Sequence, residues 1–241
     1  MRAETRHQMK QDRFSKATLD AAEATMHWSQ EHQSKLIAAA IAVVVIAAIG
    51  FGGWYYVNQQ DEKASLDMTA AVRTMEAQLR PPGTPAQPGF QSYESLTERA
   101  TEARKQFQAI ADKYPQTKTG KMARYFVGVT SAQLGDNATA ERTLQETADS
   151  SNSQLASLGK LALASVYRGE KKDSQAVDLY KQLIDKPTEL VSKVQAQLEL
   201  ASLYESEQKP DEAKKIYQAI QKDNPQSPAS SMAQRKLAAL K

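Results

Sequence analysis

Apolar residues along the chain follow three patterns, and each predicts a different element. Between Leu36 and Val57 they run without interruption, LIAAAIAVVVIAAIGFGGWYYV, 22 residues with no charged side chain. At 1.5 Å of rise per residue such a helix reaches roughly 33 Å, enough to cross a hydrocarbon core of about 30 Å. A helix apolar on every side has no use on a water-facing surface. A cleaved signal peptide would carry a short basic start and a small-residue cleavage site. Here 35 mixed residues precede the run, and the exit reads Trp54-Tyr55-Tyr56-Val57-Asn58-Gln59-Gln60, aromatics suited to the headgroup zone. The expectation is a retained single-pass transmembrane helix over 36–57.

The second pattern lies ahead of that run. Phe14, Ala17, Ala21, Ala24 and Trp28 recur at spacings of three and four, which places them on one helix face. An amphipathic helix resting on a membrane surface or a partner would use such a stripe, and a partly ordered polar tail is the competing reading. The third pattern fills the rest of the chain. Helical periodicity bounded by Gly, Pro and capping residues predicts helices at about 92–114, 118–134, 138–149, 153–168, 173–185, 189–207, 210–223 and 228–240. One more is expected over about 59–80, continuing the membrane helix, with Pro81 to Gly89 as a loop. Strand-like alternation is missing, so the predicted fold is all-α. The chain divides into a tail (1–35), the transmembrane helix (36–57), a helix with a Pro-rich loop (58–91) and a repeat domain (92–241).

That last domain is self-similar. Four segments align: Ala103-x3-Phe107-x2-Ile110-x4-Pro115, Ala140-x3-Leu144-x2-Thr147, Ala176-x3-Tyr180-x2-Leu183, and Ala213-x3-Tyr217-x2-Ile220-x4-Pro225. Their leading alanines stand 37, 36 and 37 residues apart. Twelve positions before the last three come Gly128, Ala164 and Ala201, followed three later by Ser131, Tyr167 and Tyr204. Small residues let two antiparallel helices approach closely where they cross, and the aromatic knobs fill the space alongside. This pattern resembles the tetratricopeptide repeat: a helical solenoid of about three helix pairs plus a leading and a trailing helix. Unit one lacks its first helix in this reading, because the Pro-rich segment occupies that place, and Asn152 replaces the closing Pro of unit two.

The tetratricopeptide resemblance implies a concave face built from the first helix of each pair. Carried over, its groove positions are Met122, Tyr125, Val129 and Gln133 in unit two. Leu158, Leu161, Ser165 and Arg168 follow in unit three, and Gln195, Leu198, Ser202 and Glu205 in unit four. One branch of the family grips a peptide carboxylate with Lys and Asn. Here Tyr125, Leu161 and Leu198 stand for the Lys, and Val129, Ser165 and Ser202 for the Asn, so that clamp is absent and the groove is mildly apolar. It suits peptide with exposed hydrophobic side chains. The alternative is that these residues pack against the terminal helix or the 59–80 segment.

Composition narrows the chemistry. The charge is nearly balanced, 31 Lys+Arg against 28 Asp+Glu, without a polybasic block for nucleic acid. Cysteine is absent, and the three histidines, His7, His27 and His32, all precede the apolar run. His27 with Glu31 would give only two metal ligands. Without His or Cys after residue 57, an enzyme would lack the usual base and nucleophile. Gly50-Phe51-Gly52-Gly53 precedes no lysine-bearing turn, so it is no phosphate loop. Ala48-x3-Gly52 is instead a candidate for close helix packing. No enzyme activity, cofactor, metal or small-molecule substrate is expected.

The order of parts, from polar tail and Ala/Val-rich anchor ending Gly53-Trp54-Tyr55-Tyr56 to a small-residue-rich helix and degenerate repeats, resembles the bacterial ancillary subunit family of the SecYEG translocon. That resemblance implies an inner-membrane protein with its N-terminus in the cytoplasm and repeats in the periplasm. It would be an adaptor serving the export channel, periplasmic chaperones and nascent exported chains. The basic residues flanking the anchor, Lys16 and Lys35 against Lys63 and Arg73, are tied, so orientation comes from the resemblance alone. The alternative function is a scaffold of another envelope complex for cell division, outer-membrane assembly or polysaccharide export. A third class is a membrane-tethered hydrolase.

Overall fold

The structure, a computed structural model, describes residues 32–85, 89–223 and 225–240. The stripe from Phe14 to Trp28, and His7 and His27, lie outside these residues. Backbone contacts divide the chain into Met1–Tyr56 and Val57–Lys241.

In the first unit, helix α1 (Gln33–Glu76, 44 residues) begins and carries the apolar run. It is long and apolar enough to cross a membrane, and none of its most apolar stretch is buried. Side chains 37–56 are exposed throughout, which separates α1 from a buried core helix. A Cβ added at Gly50, Gly52 or Gly53 would meet nothing within 4 Å, so these glycines make no close approach among the described residues.

The second unit starts with the last turns of α1 and proceeds through β1 (Gln78–Leu79), β2 (Ser92–Tyr93) and α2 (Leu96–Lys113). Then come α3 (Lys118–Gln133), α4 (Asn137–Ala148), α5 (Ser153–Gly169) and α6 (Asp173–Asp185). Helices α7 (Lys193–Ser206), α8 (Pro210–Asp223) and α9 (Pro228–Ala239) complete it. Consecutive helices pack as pairs. The starts are set locally: the side chains of Ser95, Thr117, Asp136, Asn152, Ser192 and Ser227 each accept a backbone N–H of the first turn. Such caps satisfy donors that the helix itself cannot.

Several expectations need correction. Helix 59–80 ends at Glu76 and helix 92–114 begins at Leu96, because residues 78–79 and 92–93 pair as a short parallel ladder. Arg80 pins that ladder, its guanidinium donating to the Ser92 carbonyl and pairing with Glu94. The helix expected from 189 starts at Lys193. The backbone N–H of Thr188 donates to the Val191 carbonyl at 2.9 Å, closing a turn over buried Val191, and Ser192 then caps. Asn152, read as a missing Pro, is itself a cap, accepting from Gln154 and Leu155.

The larger correction concerns unit one, which does have its first helix. Ala64 and Ala71 of α1 are fully buried, and Met68, Val72 and Met75 pack on the cluster of Ala103, Phe107, Ile110, Ala123 and Val127. Ala71 stands 103 − 71 = 32 positions before Ala103, where the other units have 12. The ladder and Pro-rich loop account for the extra 20. Thr74, three after Ala71, is buried like Ser131 and Tyr167 at the corresponding places.

The turns inside the pairs also repeat. Gly135 (φ 77°), Lys171 (φ 60°) and Gln208 (φ 58°) adopt the left-handed conformation, 36 and 37 residues apart. After each, the next backbone N–H returns to the last helical turn: Asp136 to the Ser131 carbonyl, Lys172 to Tyr167, Lys209 to Tyr204. This is the helix-ending motif that satisfies orphan carbonyls. Gly169, one residue past the helix expected over 153–168, is the last residue of α5.

Candidate functional site

Every small residue at the helix crossings is buried: Ala103, Gly128, Ala140, Ala164, Ala176, Ala201 and Ala213. At Gly128 a Cβ would come within 2.6 Å of the Leu144 side chain, so this crossing has no room for even an alanine without displacing Leu144. Phe107, Tyr180 and Tyr217 are sealed beside these crossings, Tyr167 nearly so, and Tyr204 is half-buried. The buried phenol of Tyr217 donates to Glu205 Oε1 at 2.9 Å, and Lys236 holds the other carboxylate oxygen at 2.8 Å.

With the crossings committed to packing, the first helices α1, α3, α5 and α7 present the groove positions. Tyr125, Val129, Leu158 and Leu161 are half-buried, leaning on the central core, and Met122 is half-buried on α3. Leu198 leans on the C-terminal cluster around Ala201 and Tyr217. Gln133, Ser165 and Gln195 are exposed. Burial raises the Tyr125 phenol above the ordinary tyrosine value, so it stays neutral.

The groove is not uniform along its length. Between α5 and α7 it is closed by the chain's own side chains: Arg168 Nη1 pairs with Glu199 Oε2 at 3.0 Å, and Nη2 donates to Ser202 Oγ at 3.4 Å. Between α3 and α5 it is open, a cavity of about 470 Å³. Tyr125, Val129, Ala132 and Ala162 form its walls, Leu144 and Val166 its floor, and Gln133, Asn137, Ser165 and Gly169 its rim. No residue of α1 or α9 lines it, and no charged group does. Of the residues carried over from the repeat pattern, Tyr125, Val129, Gln133 and Ser165 meet here. Met122, Leu158, Leu161 and Leu198 do not line the cavity, and Arg168 and Ser202 belong to the closed junction. Ala132, Ala162 and Asn137 were missed because alanine at helical spacing looks like packing, and Asn137 like a cap.

A second concavity lies on the outer side of the first pair, between α1 and α2. A hydrogen-bond chain crosses it: Gln91 Nε2 donates to Tyr93 Oη (2.7 Å) and Thr74 Oγ1 (2.8 Å). Thr74 then donates to Gln106 Oε1 (2.9 Å), and Gln106 to Glu102 (3.0 Å). Among the described residues no three His, Asp or Glu gather as a metal site. The chemistry on offer in the open groove is burial of apolar side chains and hydrogen bonding by neutral amides, whereas Asp67, Arg73 and Lys113 also line the second concavity.

A family model described as tetratricopeptide repeat-like domain matches residues 26–241. No curated protein and no solved structure matches the chain.

Proposed function

The chain belongs to the tetratricopeptide repeat-like domain family, and from that premise we propose that it is a non-enzymatic adaptor, anchored in a membrane by α1, whose concave face receives polypeptide. The open, uncharged cavity between α3 and α5 carries this reading, because it is a largely apolar recess with side-chain amides at its rim and the Tyr125 phenol in its wall. The exposed apolar surface of residues 37–56 supports the anchor: side chains such as Ile41, Val44, Ile46 and Ile49 face outward along the helix. The finer assignment rests on resemblance: an inner-membrane subunit beside the SecYEG translocon, repeats in the periplasm, meeting emerging chains or chaperones. A scaffold for another envelope complex is the second reading, favoured if partners are stoichiometric and already folded.

A photo-activated crosslinker at Tyr125 or Leu161, in the full chain in membranes, tests it. Adducts with translocating chains or chaperones are expected. Adducts no different from those formed at Gln145, exposed on α4, would overturn it.

A further inference from the structure

The repeat register shows why the groove is open at one junction. In every pair the residue four after the crossing residue of the first helix approaches the residue two before the crossing residue of the next. At the first junction these are Met75 and Phe126, both packed on the same apolar cluster. At the third they are Arg168 and Glu199, ion-paired at 3.0 Å. At the fourth, where α9 ends the stack and the 37-residue period sets the register, they are Glu205 and Lys236, paired at 2.8 Å. At the second junction they are Ala132 and Ala162. The third member of the third junction, Ser202, corresponds to Ser165. The cavity of about 470 Å³ is therefore the place of a cross-helix pair whose side chains have been cut back to methyl groups.

We infer that this vacant register is a socket for one large apolar side chain of an extended segment from another polypeptide, an inference that rests on the adaptor reading. Three observations select that occupant. The walls and floor, Tyr125, Val129, Leu144 and Val166, carry no charge, so a charged side chain would enter without a partner. The register is filled elsewhere by side chains, and where its surroundings are apolar the filling is apolar, as with Met75 and Phe126. At the rim stand the side-chain amides of Gln133 and Asn137, groups that pair with peptide backbone on either side of an inserted residue. Leu, Met or Phe flanked by uncharged residues is the sequence this socket selects.

The lack of cysteine gives the test. Gln133→Cys places a single thiol on the rim of the full chain. Disulfide exchange with peptides Ac-Cys-Gly-X-Gly-Ser, where X is Leu, Phe, Gly, Asp or Lys, reads which side chain the socket retains. Leu and Phe peptides are expected to resist reductant about tenfold better than the others, from the burial of one large apolar side chain. Adding Ala132→Arg with Ala162→Glu rebuilds the pair of the next junction and should abolish that preference with the helical circular dichroism intact. Ser165→Trp, an exposed site, fills the socket by a second route should the double variant unfold.

Retention indifferent to X, or best for Asp or Lys, overturns the inference. So does a preference that survives both filled variants, or free benzyl thiol retained as well as the Phe peptide, which would mark a small-molecule pocket. Crosslinking from Tyr125 that finds no polypeptide, together with selective retention of Leu and Phe, would sink the adaptor reading and leave the socket standing.

Discussion

Individual residues in this repeat carry conformational costs that the periodic pattern makes comparable. Gly135, Lys171 and Gln208 perform the same left-handed turn, yet only one is glycine. A side chain in that conformation costs roughly 1–2 kcal/mol. Lys171 and Gln208 each adjoin an ion pair, Lys172 with Glu141 and Lys209 with Glu207, and Gln208→Gly is the change that removes no charge. Gln208→Gly is expected to raise the unfolding free energy by about 0.5–1 kcal/mol and Gly135→Ala to lower it by about 1 kcal/mol. Denaturant midpoints would settle both signs. Tyrosine ionisation supplies a second residue-scale expectation. Burial, then the Glu205 carboxylate, raises the Tyr217 phenol, and burial raises those of Tyr180 and Tyr125. Groups with raised folded values stabilise fully below the unfolded value of about 10, and that contribution is lost as pH climbs through the folded values. Melting temperature should therefore fall above about pH 10, and less steeply in Tyr217→Phe, measured by calorimetry against pH. An equal slope in the variant would remove Tyr217 from the account.

At the level of elements, what could be read from sequence depended on whether the signal was local. The starts of α3, α4, α5, α8 and α9 lay within a residue of expectation because each has its own cap or proline. Asn152→Ala removes an acceptor shared by two backbone N–H groups and should cost about 1 kcal/mol. A variant as stable as the parent would reassign the start of α5 to tertiary packing. One element was illegible and the role of another was missed. The Ser92–Tyr93 strand is too short to alternate, and its partner lies beyond a proline-rich loop. The helix over 59–80 was foreseen, but its Ala64-Met68-Ala71-Met75 face was not recognised as the first helix of unit one, because 20 inserted residues break the period. The groove was half legible: Tyr125 and Val129 came from the repeat register, whereas the gap at Ala132 and Ala162 emerges only when the junctions are compared in space.

For the whole molecule, the boundary of the repeat domain shifts toward the N-terminus. A fragment spanning 92–241 would leave Ala103, Phe107 and Ile110 without their cover from Met68, Val72 and Met75, each burial worth roughly 1.5–3 kcal/mol. A fragment spanning 57–241 keeps that cover. Chemical unfolding should show the longer fragment more stable by at least about 3 kcal/mol; coincident transitions would mean that α1 is dispensable. The outer side of the first pair has a different consequence. Modular stacks are prone to lengthening, since an end that resembles an interior joint invites another molecule to continue the pile. There Gln91 and Gln106 are hydrogen-bonded to buried Thr74 beneath them, and Asp67 pairs with Lys113 alongside. A second copy docking there would strip water from Asp67, Arg73 and Lys113, which line the recess. Filament growth is thus discouraged from that end by charges that an added copy would leave dry.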